Sequence, residues 1–191
     1  MDKYDSIDLD ILQELNSDFK KSLAEVGKKV GLSHAAVKYR IDQMRSKDLI
    51  SRSYNLNINK LNLQFFCLIM HVNEKERLKE EFSNCPKVMA YYDTIGDYNL
   101  MILLLVENLQ TAEAMLSHCP LFSGWSIQKK VLLPLLNYSR KYRQINLSYR
   151  EKGKKNPCKK MDSKFCLKCE AYKQGRCCGC PTMPGYKGNF K

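Results

Sequence analysis

The sequence SLAEVGKKVGLSHAAVKYRIDQM, residues 22–44, decides the fold of the N-terminal part of the chain. Ser22 is followed three residues later by Glu25, and this capping-box pattern predicts that a helix begins there. Gly31 is typical of the left-handed residue that ends a helix, and Ser33 is suited to cap the next one. The stretch therefore predicts two short helices joined by a tight turn.

The predicted helix after this turn has one apolar stripe, formed by Val37, Ile41 and Met44. Residues 6–16 show apolar side chains at the same helical spacing, so a further helix is expected before the two. Three short helices with a tight turn between the last two are typical of a helix-turn-helix. The alternating stretch 53–58 predicts a strand that serves either as a wing or as a linker.

From residue 64 onward, short apolar runs alternate with two helical segments. The predicted elements are a strand at 65–70, a helix at 74–83, strands at 88–95 and 100–106, a helix at 109–118 and a strand at 126–133. This β-α-β-β-α-β order is that of the ferredoxin-like split motif, a four-stranded antiparallel sheet covered by two helices. The sequence therefore predicts an α+β fold, with a winged helix-turn-helix domain at 1–60 and a ferredoxin-like domain at 61–136.

The net charge of +12 is confined to the end of the chain. Residues 137–191 hold 15 of the 32 Lys and Arg residues but only three of the 20 acidic residues, while the rest of the chain is neutral. We interpret 137–157 as a basic linker and 158–191 as a Cys-rich tail. Such a basic segment favours a polyanionic partner, nucleic acid before membrane, and the alternative is a tail that only improves solubility.

No run of eighteen apolar residues exists, and the polar N-terminus lacks the apolar stretch of a secretory signal. The sequence therefore predicts a cytoplasmic protein with no membrane partner.

Six of the nine cysteines lie between Cys158 and Cys180. Without an export signal, this clustering favours metal binding over disulfides. The predicted ligands are Cys166, Cys169, Cys177 and Cys180, with Cys178 as a substitute and Cys158 as a further candidate. Two Cys pairs at this spacing can complete a tetrahedral zinc site, so zinc is the predicted cofactor, and an iron–sulfur cluster or redox-active thiols remain alternatives.

The tail is poor in apolar residues and cannot bury a core alone, so we expect a small metal-stapled module that adds non-specific DNA affinity. The other three cysteines, Cys67, Cys85 and Cys119, are scattered through apolar or helical stretches and are interpreted as ordinary buried thiols.

The third predicted helix carries polar residues opposite its apolar stripe. The candidate DNA-binding residues are Ser33, His34, Ala35, Lys38, Tyr39 and Gln43. Lys38 can contact a phosphate or a guanine edge, and the Ala35 methyl group can contact a thymine methyl group. Four lysines on or beside the second helix suit backbone phosphates: Lys20, Lys21, Lys28 and Lys29. The alternative interpretation of both sets is a solvated charged face.

These motifs resemble the Lrp/AsnC family of feast/famine regulators. The matching residues are Asp10-Ile11-Leu12-Gln13-Glu14-Leu15, Val30-Gly31-Leu32-Ser33, Val37, Arg40-Ile41 and Leu49-Ile50, and Gly96-Asp97-Tyr98-Asn99 is similar to the family's hairpin motif. Three positions depart from the family pattern. Asp48 and Asn62 stand where Gly is common, and Asn99 stands where Asp is usual. The resemblance covers about residues 6–136 and leaves out the cysteine tail.

The resemblance implies a winged helix-turn-helix joined by a strand to a regulatory domain, which forms a homodimer through its sheet and assembles further into octamers. It also implies that an amino acid or related small molecule binds near the hairpin. The candidate effector-binding residues are accordingly Gly96, Asp97, Tyr98 and Asn99.

The predicted function is that of a sequence-specific transcriptional regulator that binds double-stranded DNA. The alternative is a tetrapyrrole decarboxylase of the siroheme type, since some proteins that look like this family are such enzymes. That activity would need several His and Arg residues on the regulatory sheet, where mainly His71 is found. His34, His71 and His118 lie apart on three elements, so no catalytic residue is assigned and we expect no enzymatic activity.

Overall fold

The computed structural model describes residues 4–18, 20–51, 53–137, 142–145, 147 and 164–190. The chain divides into two compact units, Met1–Ser53 and Tyr54–Lys191, which we call the first and the second unit. These bounds differ from the predicted domains, because the second unit includes both the predicted wing strand and the cysteine tail. Much of the predicted linker, and Cys158 with it, lies outside the described residues.

The first unit is the predicted helix-turn-helix, with α1 at Ser6–Ser17, α2 at Leu23–Val30 and α3 at His34–Ser46. Local signals set its helix ends. The Ser22 hydroxyl accepts from the Glu25 N–H while the Glu25 side chain accepts from the Ser22 N–H, and Gly31 adopts the left-handed conformation at φ 71°. The three helices pack around one apolar cluster, which contains Ile11, Val26, Val37, Ile41 and Met44. The capping and stripe predictions are confirmed.

The second unit contains the predicted ferredoxin-like motif. In chain order it consists of β1 (Leu56–Asn57), a 3₁₀ turn (Asn59–Leu61), β2 (Gln64–Val72), α4 (Lys75–Phe82), β3 (Val88–Asp93), β4 (Leu100–Val106), α5 (Leu109–His118), α6 (Pro120–Ser123), β5 (Ile127–Leu135), β6 (Tyr142–Arg143), α7 (Phe165–Lys168) and α8 (Glu170–Lys173). The four long strands form an antiparallel sheet in the order β3-β4-β2-β5. The predicted fold class is confirmed for both units. Among the described residues, no helix combines the length and the apolar character needed to cross a membrane.

The strand predicted as a wing or linker at 53–58 is only two residues long in the structure. Only Leu56 and Asn57 are extended, and they pair antiparallel with Tyr142 and Arg143 of β6. This small second sheet joins the chain before the ferredoxin-like motif to the chain after it. Alternation along one strand does not identify the partner strand, so the sequence pattern could not predict this pairing.

The sheet has one covered face and one open face. Alternate β2 residues, including Phe66, Leu68 and Met70, lie under the helices and form one core with Leu78 and Phe82 of α4. On the opposite face, Phe65 is buried, whereas Cys67, Ile69 and His71 are partly exposed, and we call the part of the sheet around these three residues the open face. There, Cys67 and Ile69 pair in register with the partly exposed Leu133 and Val131 of β5.

The cysteine tail packs against the ferredoxin-like motif. Cys166, Tyr172 and Met183 belong to the helix-side core together with the β2 residues. Tyr186 and Phe190 belong to a second cluster, which also contains Ile58, Leu63, Phe65, Leu105 and Ile145. The described part of the predicted Cys-rich tail is therefore packed as part of the second unit. The tail contributes side chains to two cores that neither segment would complete alone.

Asp48 and Asn62 adopt left-handed backbone conformations, at φ 54° and φ 50°. Both positions depart from the family's common Gly, and both carry a residue type that tolerates this region. The left-handed conformation is nevertheless higher in free energy for Asp or Asn than for Gly, because the Cβ atom approaches the following carbonyl group.

Replacing Asn62 by Gly is expected to raise the free energy of unfolding of the second unit by about 0.5–1 kcal/mol. Gly adopts the left-handed conformation without strain, which stabilises the folded state. This gain is larger than the loss that comes from the greater entropy of Gly in the unfolded state. Urea denaturation followed by the fluorescence of Trp125, the single Trp of the chain, measures this change. The control Asn57→Gly lies in β1 and should lower stability instead. A loss of stability in both variants would contradict the prediction.

Candidate functional sites

The six candidate DNA-binding residues all lie on the surface of the first unit, at the start and along one side of α3. Tyr39 is 65% exposed, while Val37, Ile41 and Met44 on the opposite side are buried. The Ser33 hydroxyl accepts from the Ala36 N–H at 3.2 Å, so this hydroxyl is already engaged in capping. The exposed face of α3 is therefore formed chiefly by the other five candidates.

Arg40 fixes α3 against the start of α1 and was not singled out as functional from the sequence. Its guanidinium group donates to the Asp5 carboxylate at 2.8 Å and to the Asp8 carboxylate at 2.9 Å. The same two carboxylates form a capping box on α1. The hydrogen bond from Arg40 is the main cause that lowers the pKa of Asp5. This network ties α3 to the N-terminal end of α1.

The lysines predicted to contact phosphates divide into two pairs. Lys21 and Lys29 lie 2.6 Å and 3.6 Å from the Glu14 carboxylate, which lowers the pKa of Glu14. Lys20 and Lys28 are exposed. Lys21 and Lys29 would therefore interact with a DNA phosphate while they are also paired with Glu14.

The hairpin between β3 and β4 is held by hydrogen bonds to the end of β2 and within its own turn. The Asn99 side chain donates to the Val72 carbonyl at 2.8 Å and accepts from the Val72 N–H at 3.1 Å. An amide can do both, whereas an ionised carboxylate can only accept, which explains Asn at a position where the family usually has Asp. The Thr94 hydroxyl donates to the Tyr98 carbonyl at 2.8 Å. Asp97 is exposed, with its carboxylate 3.6 Å from Lys129.

The four predicted metal ligands line a single cavity of about 50 Å³ between the tail and the ferredoxin-like motif. The opposite wall carries three more side chains that ligate metals in proteins: Cys85, His118 and Cys119. The sequence pattern predicts Cys85 and Cys119 to be ordinary buried thiols and does not indicate that they lie beside the cysteines of the tail. Cys178, the predicted substitute ligand, packs instead against the second cluster around Phe65 and Tyr186.

Backbone amides point at two of the cavity's sulfur atoms. The Gly179 N–H donates to Cys177 Sγ at 3.4 Å, and the Cys180 N–H bonds to Cys166. Burial is the larger influence and raises the pKa of Cys166 to about 11. Within the described part of the chain, no three Cys, His, Asp or Glu side chains already converge on one point as a metal site would require.

A buried ion pair joins the tail to the ferredoxin-like motif. Lys87 Nζ lies 2.9 Å from Glu107 Oε2 and 2.9 Å from the Gly179 carbonyl oxygen. The Tyr186 hydroxyl donates to the other oxygen of Glu107. Burial is the largest single influence and lowers the pKa of Lys87, but the charge of Glu107, its hydrogen bond to Lys87 and the nearby thiols together outweigh burial, so the pKa is raised. Sequence reasoning missed this network, because nothing in the spacing of these residues indicates that they meet.

Comparisons with known proteins show the family to which the chain is related. An AsnC-type helix-turn-helix domain model matches residues 5–45. The regulator LrpC of Bacillus subtilis is 31% identical over 116 residues, which cover 58% of this chain and 80% of LrpC. The regulator Ptr1 of Methanocaldococcus jannaschii is 26% identical over 112 residues, covering 56% of this chain and 75% of Ptr1.

Solved structures of two regulators share the fold of this chain. The structure of B. subtilis LrpC superposes with a TM-score of 0.60 at 25% identity, over 72% of this chain and 98% of LrpC. That of Escherichia coli AsnC gives 0.62 at 18% identity, over 72% and 95%. Fold and sequence thus define a helix-turn-helix protein with a ferredoxin-like domain. The chain belongs to the Lrp/AsnC family of transcriptional regulators. Membership of this family supports the function of a transcriptional regulator over the alternative function, that of a tetrapyrrole decarboxylase.

Proposed function

We propose that this family member reads specific duplex DNA sites with the exposed face of α3. The observation that carries the proposal is the division of α3 into a buried apolar stripe and an exposed face of His34, Ala35, Lys38, Tyr39 and Gln43. The major groove of B-DNA is about 12 Å wide and admits a helix presented in this way. A DNA partner also agrees with the predicted cytoplasmic location.

The first turn of α3 is the part suited to reach base edges. In helix-turn-helix proteins, the N-terminal residues of the second helix contact the bases. Ser33 holds this end through its cap, and the Arg40 network holds the middle of the helix. Lys38 then supplies a donor for guanine or phosphate, and Ala35 a methyl group for thymine.

Selection of duplexes from a random library by the full chain tests this proposal. The expected result is one enriched sequence with two half-sites, separated by one helical turn of about 34–36 Å or a multiple of it if the protein binds as a dimer. A bound pool that keeps the composition of the starting library would contradict sequence-specific binding.

We also propose that two chains form a homodimer through the open face of the sheet. Val131, Leu133 and Leu135 of β5 are 38%, 42% and 37% exposed, and they lie beside the half-buried Ile69. A contiguous apolar patch of this kind is typical of a protein interface. Sedimentation of the full chain should give a dimer or a larger assembly. Val131→Glu/Leu133→Glu should give monomers, and an unchanged assembly would contradict this interface.

The hairpin is the proposed site of a small-molecule effector, of which an amino acid is the first candidate. Asp97 offers an exposed carboxylate that suits an amino group, whereas the Asn99 side chain is occupied by Val72. A regulator from Neisseria meningitidis that shares the fold, with a TM-score of 0.64 at 15% identity, was solved as a complex with L-Met. Calorimetry with the twenty amino acids tests the proposal, with Asp97→Asn as the variant. Absence of binding at millimolar concentration would reject it.

The tail is proposed to add sequence-independent affinity through its exposed basic residues. Truncation at residue 155 would be a poor test, because the tail belongs to both cores of the second unit. Lys164→Gln/Arg176→Gln is the better variant, since both side chains are exposed.

This double variant should weaken binding to all sequences alike. The log–log salt slope should flatten by nearly one unit for each phosphate contact that is lost. Filter binding at several salt concentrations measures the slope. The charge-matched control Lys75→Gln/Lys79→Gln removes lysines that pair with Asp93 and should leave the slope nearly unchanged. Equal slopes for all proteins would exclude a role of the tail in DNA binding.

A further inference from the structure

The thiol cavity lies where the tail meets the ferredoxin-like motif. One wall comes from the tail, with Cys166, Cys169, Cys177 and Cys180, and the other comes from α5 and the segment before β3. A cavity of about 50 Å³ has room for one ion or a few water molecules and leaves little space for a larger ligand. The cavity therefore lies at the contact between the tail and the ferredoxin-like motif of the second unit.

Two backbone N–H groups around the cavity donate to its sulfur atoms. Gly175, between the two cysteine pairs, and Gly179, within the second pair, adopt left-handed conformations at φ 74° and φ 85°. The turn at Gly179 directs its N–H to Cys177 Sγ at 3.4 Å. Amide groups that donate to sulfur support thiolate ligands and are part of the outer shell on which thiolate metal sites depend.

A buried cation lies beside the same sulfur atoms. Lys87 Nζ is 2.9 Å from the carbonyl oxygen of Gly179, which directly precedes Cys180. Lys87 also lines the cavity together with Cys177 and Cys180. Four thiolates around one divalent ion carry a net charge of −2, so a fixed ammonium group nearby offsets part of the cost of burying that charge. The basic residues of the tail itself, Lys168, Lys173 and Arg176, are exposed and less able to do so.

We propose that the four tail thiols bind one thiophilic divalent metal ion of the Zn²⁺ class in this cavity, and that the ion fastens the tail to the ferredoxin-like motif. Zn²⁺ takes four cysteine ligands in tetrahedral geometry. Since no three candidate ligands among the described residues yet converge, the ion must draw the sulfur atoms together. Each thiol that ligates releases its proton to solvent. Metal occupancy is thereby coupled to tail docking, independently of any DNA contact.

Titration of the reduced full chain with Co²⁺ tests the site directly. The expected result is the visible absorption and sulfur-to-cobalt charge transfer of a tetrahedral thiolate site, saturating at one ion per chain and reversed by Zn²⁺. Cys169→Ser should weaken binding at least tenfold, and Cys166→Ser/Cys169→Ser should abolish it. The control Cys67→Ser removes a thiol on the open face of the sheet and should bind like the parent.

Hydrogen exchange of the parent protein with and without Zn²⁺ tests the coupling. Exchange in residues 164–190 and in α5 should slow when Zn²⁺ is bound, and the helices of the first unit should not change. Absence of a cobalt spectrum, or an unchanged spectrum in Cys166→Ser/Cys169→Ser, would overturn the site. Zinc binding without slower exchange would overturn the coupling. Two further outcomes would overturn the choice of ion. One is iron and sulfide in protein purified without air, and the other is thiols that oxidise reversibly and bind no metal.

Discussion

Replacing Lys87 by Met is expected to lower the free energy of unfolding of the second unit by about 3–5 kcal/mol. The side chains of Lys87 and Glu107 are only 3% and 4% exposed, so the variant would leave a carboxylate buried without its cation. Removing one partner of a buried pair costs this much because the remaining charge is uncompensated. Urea denaturation followed by Trp125 fluorescence measures the loss.

A triple variant distinguishes two contributions to the free energy of unfolding: the destabilisation from a buried carboxylate that has lost its cation, and the net stabilisation by the intact pair. Lys87→Met/Glu107→Leu/Tyr186→Phe removes the ammonium, the carboxylate and the hydroxyl that donates to it. Apolar replacement of a whole buried network is often close to neutral, so most of the lost stability should return. The control Lys75→Met removes a surface pair with Asp93 and should change little. A Lys87→Met variant as stable as this control would show that the tail does not dock through the pair.

Changing Lys38 and Tyr39 together to Ala is expected to reduce the preference for a selected DNA site over a scrambled one by tens- to hundreds-fold. A good base contact contributes about 1–3 kcal/mol of discrimination. Both side chains are exposed, and neither belongs to the cluster that holds the three helices together. Circular dichroism should therefore show an intact fold.

The matched control is Asp10→Ala/Gln13→Ala, which changes two exposed residues of α1. It should keep the site preference of the parent protein. The ratio of the two dissociation constants, measured at one salt concentration, is the quantity to compare, because total affinity also includes the phosphate contacts. An unchanged ratio in the Lys38→Ala/Tyr39→Ala variant would remove α3 as the reading element.

The elements that could be predicted are those set by neighbouring residues. The capping box at Ser22 and Glu25 and the left-handed Gly31 act within one or two turns, and they place α2 and α3 correctly. The apolar runs of β2 and β4 likewise identify the central strands. Their order along the chain then restricts the topology to the ferredoxin-like motif.

The features that could not be predicted depend on partners far apart in sequence. Lys87 bonds to Glu107, 20 residues away, and to Gly179, 92 residues away. Nothing at these positions distinguishes them from surface residues until the tail is in place. The composition of the tail indicated a shortage of apolar residues but gave no sign that the ferredoxin-like motif completes its core. The pairing of β1 with β6 escaped prediction for the same reason.

The candidate sites show the same division. The exposed face of α3 could be derived because it is the complement of a buried stripe on one regular helix. Cysteine spacing likewise identified the thiols that share a cavity. It could not show that Cys85, His118 and Cys119 form the opposite wall, nor that Cys178 turns towards the second cluster. The role of Asn99 also required the position of Val72 across the sheet.

Footprinting of the purified full chain across genomic DNA tests the central claim most directly, that α3 reads specific duplex sites. The account predicts protected segments that share one sequence, and it predicts that Lys38→Ala/Tyr39→Ala loses this common sequence while keeping weak protection through its phosphate contacts. Protection spread over the genome without a common sequence, or the same protected sites with the variant as with the parent, would contradict it.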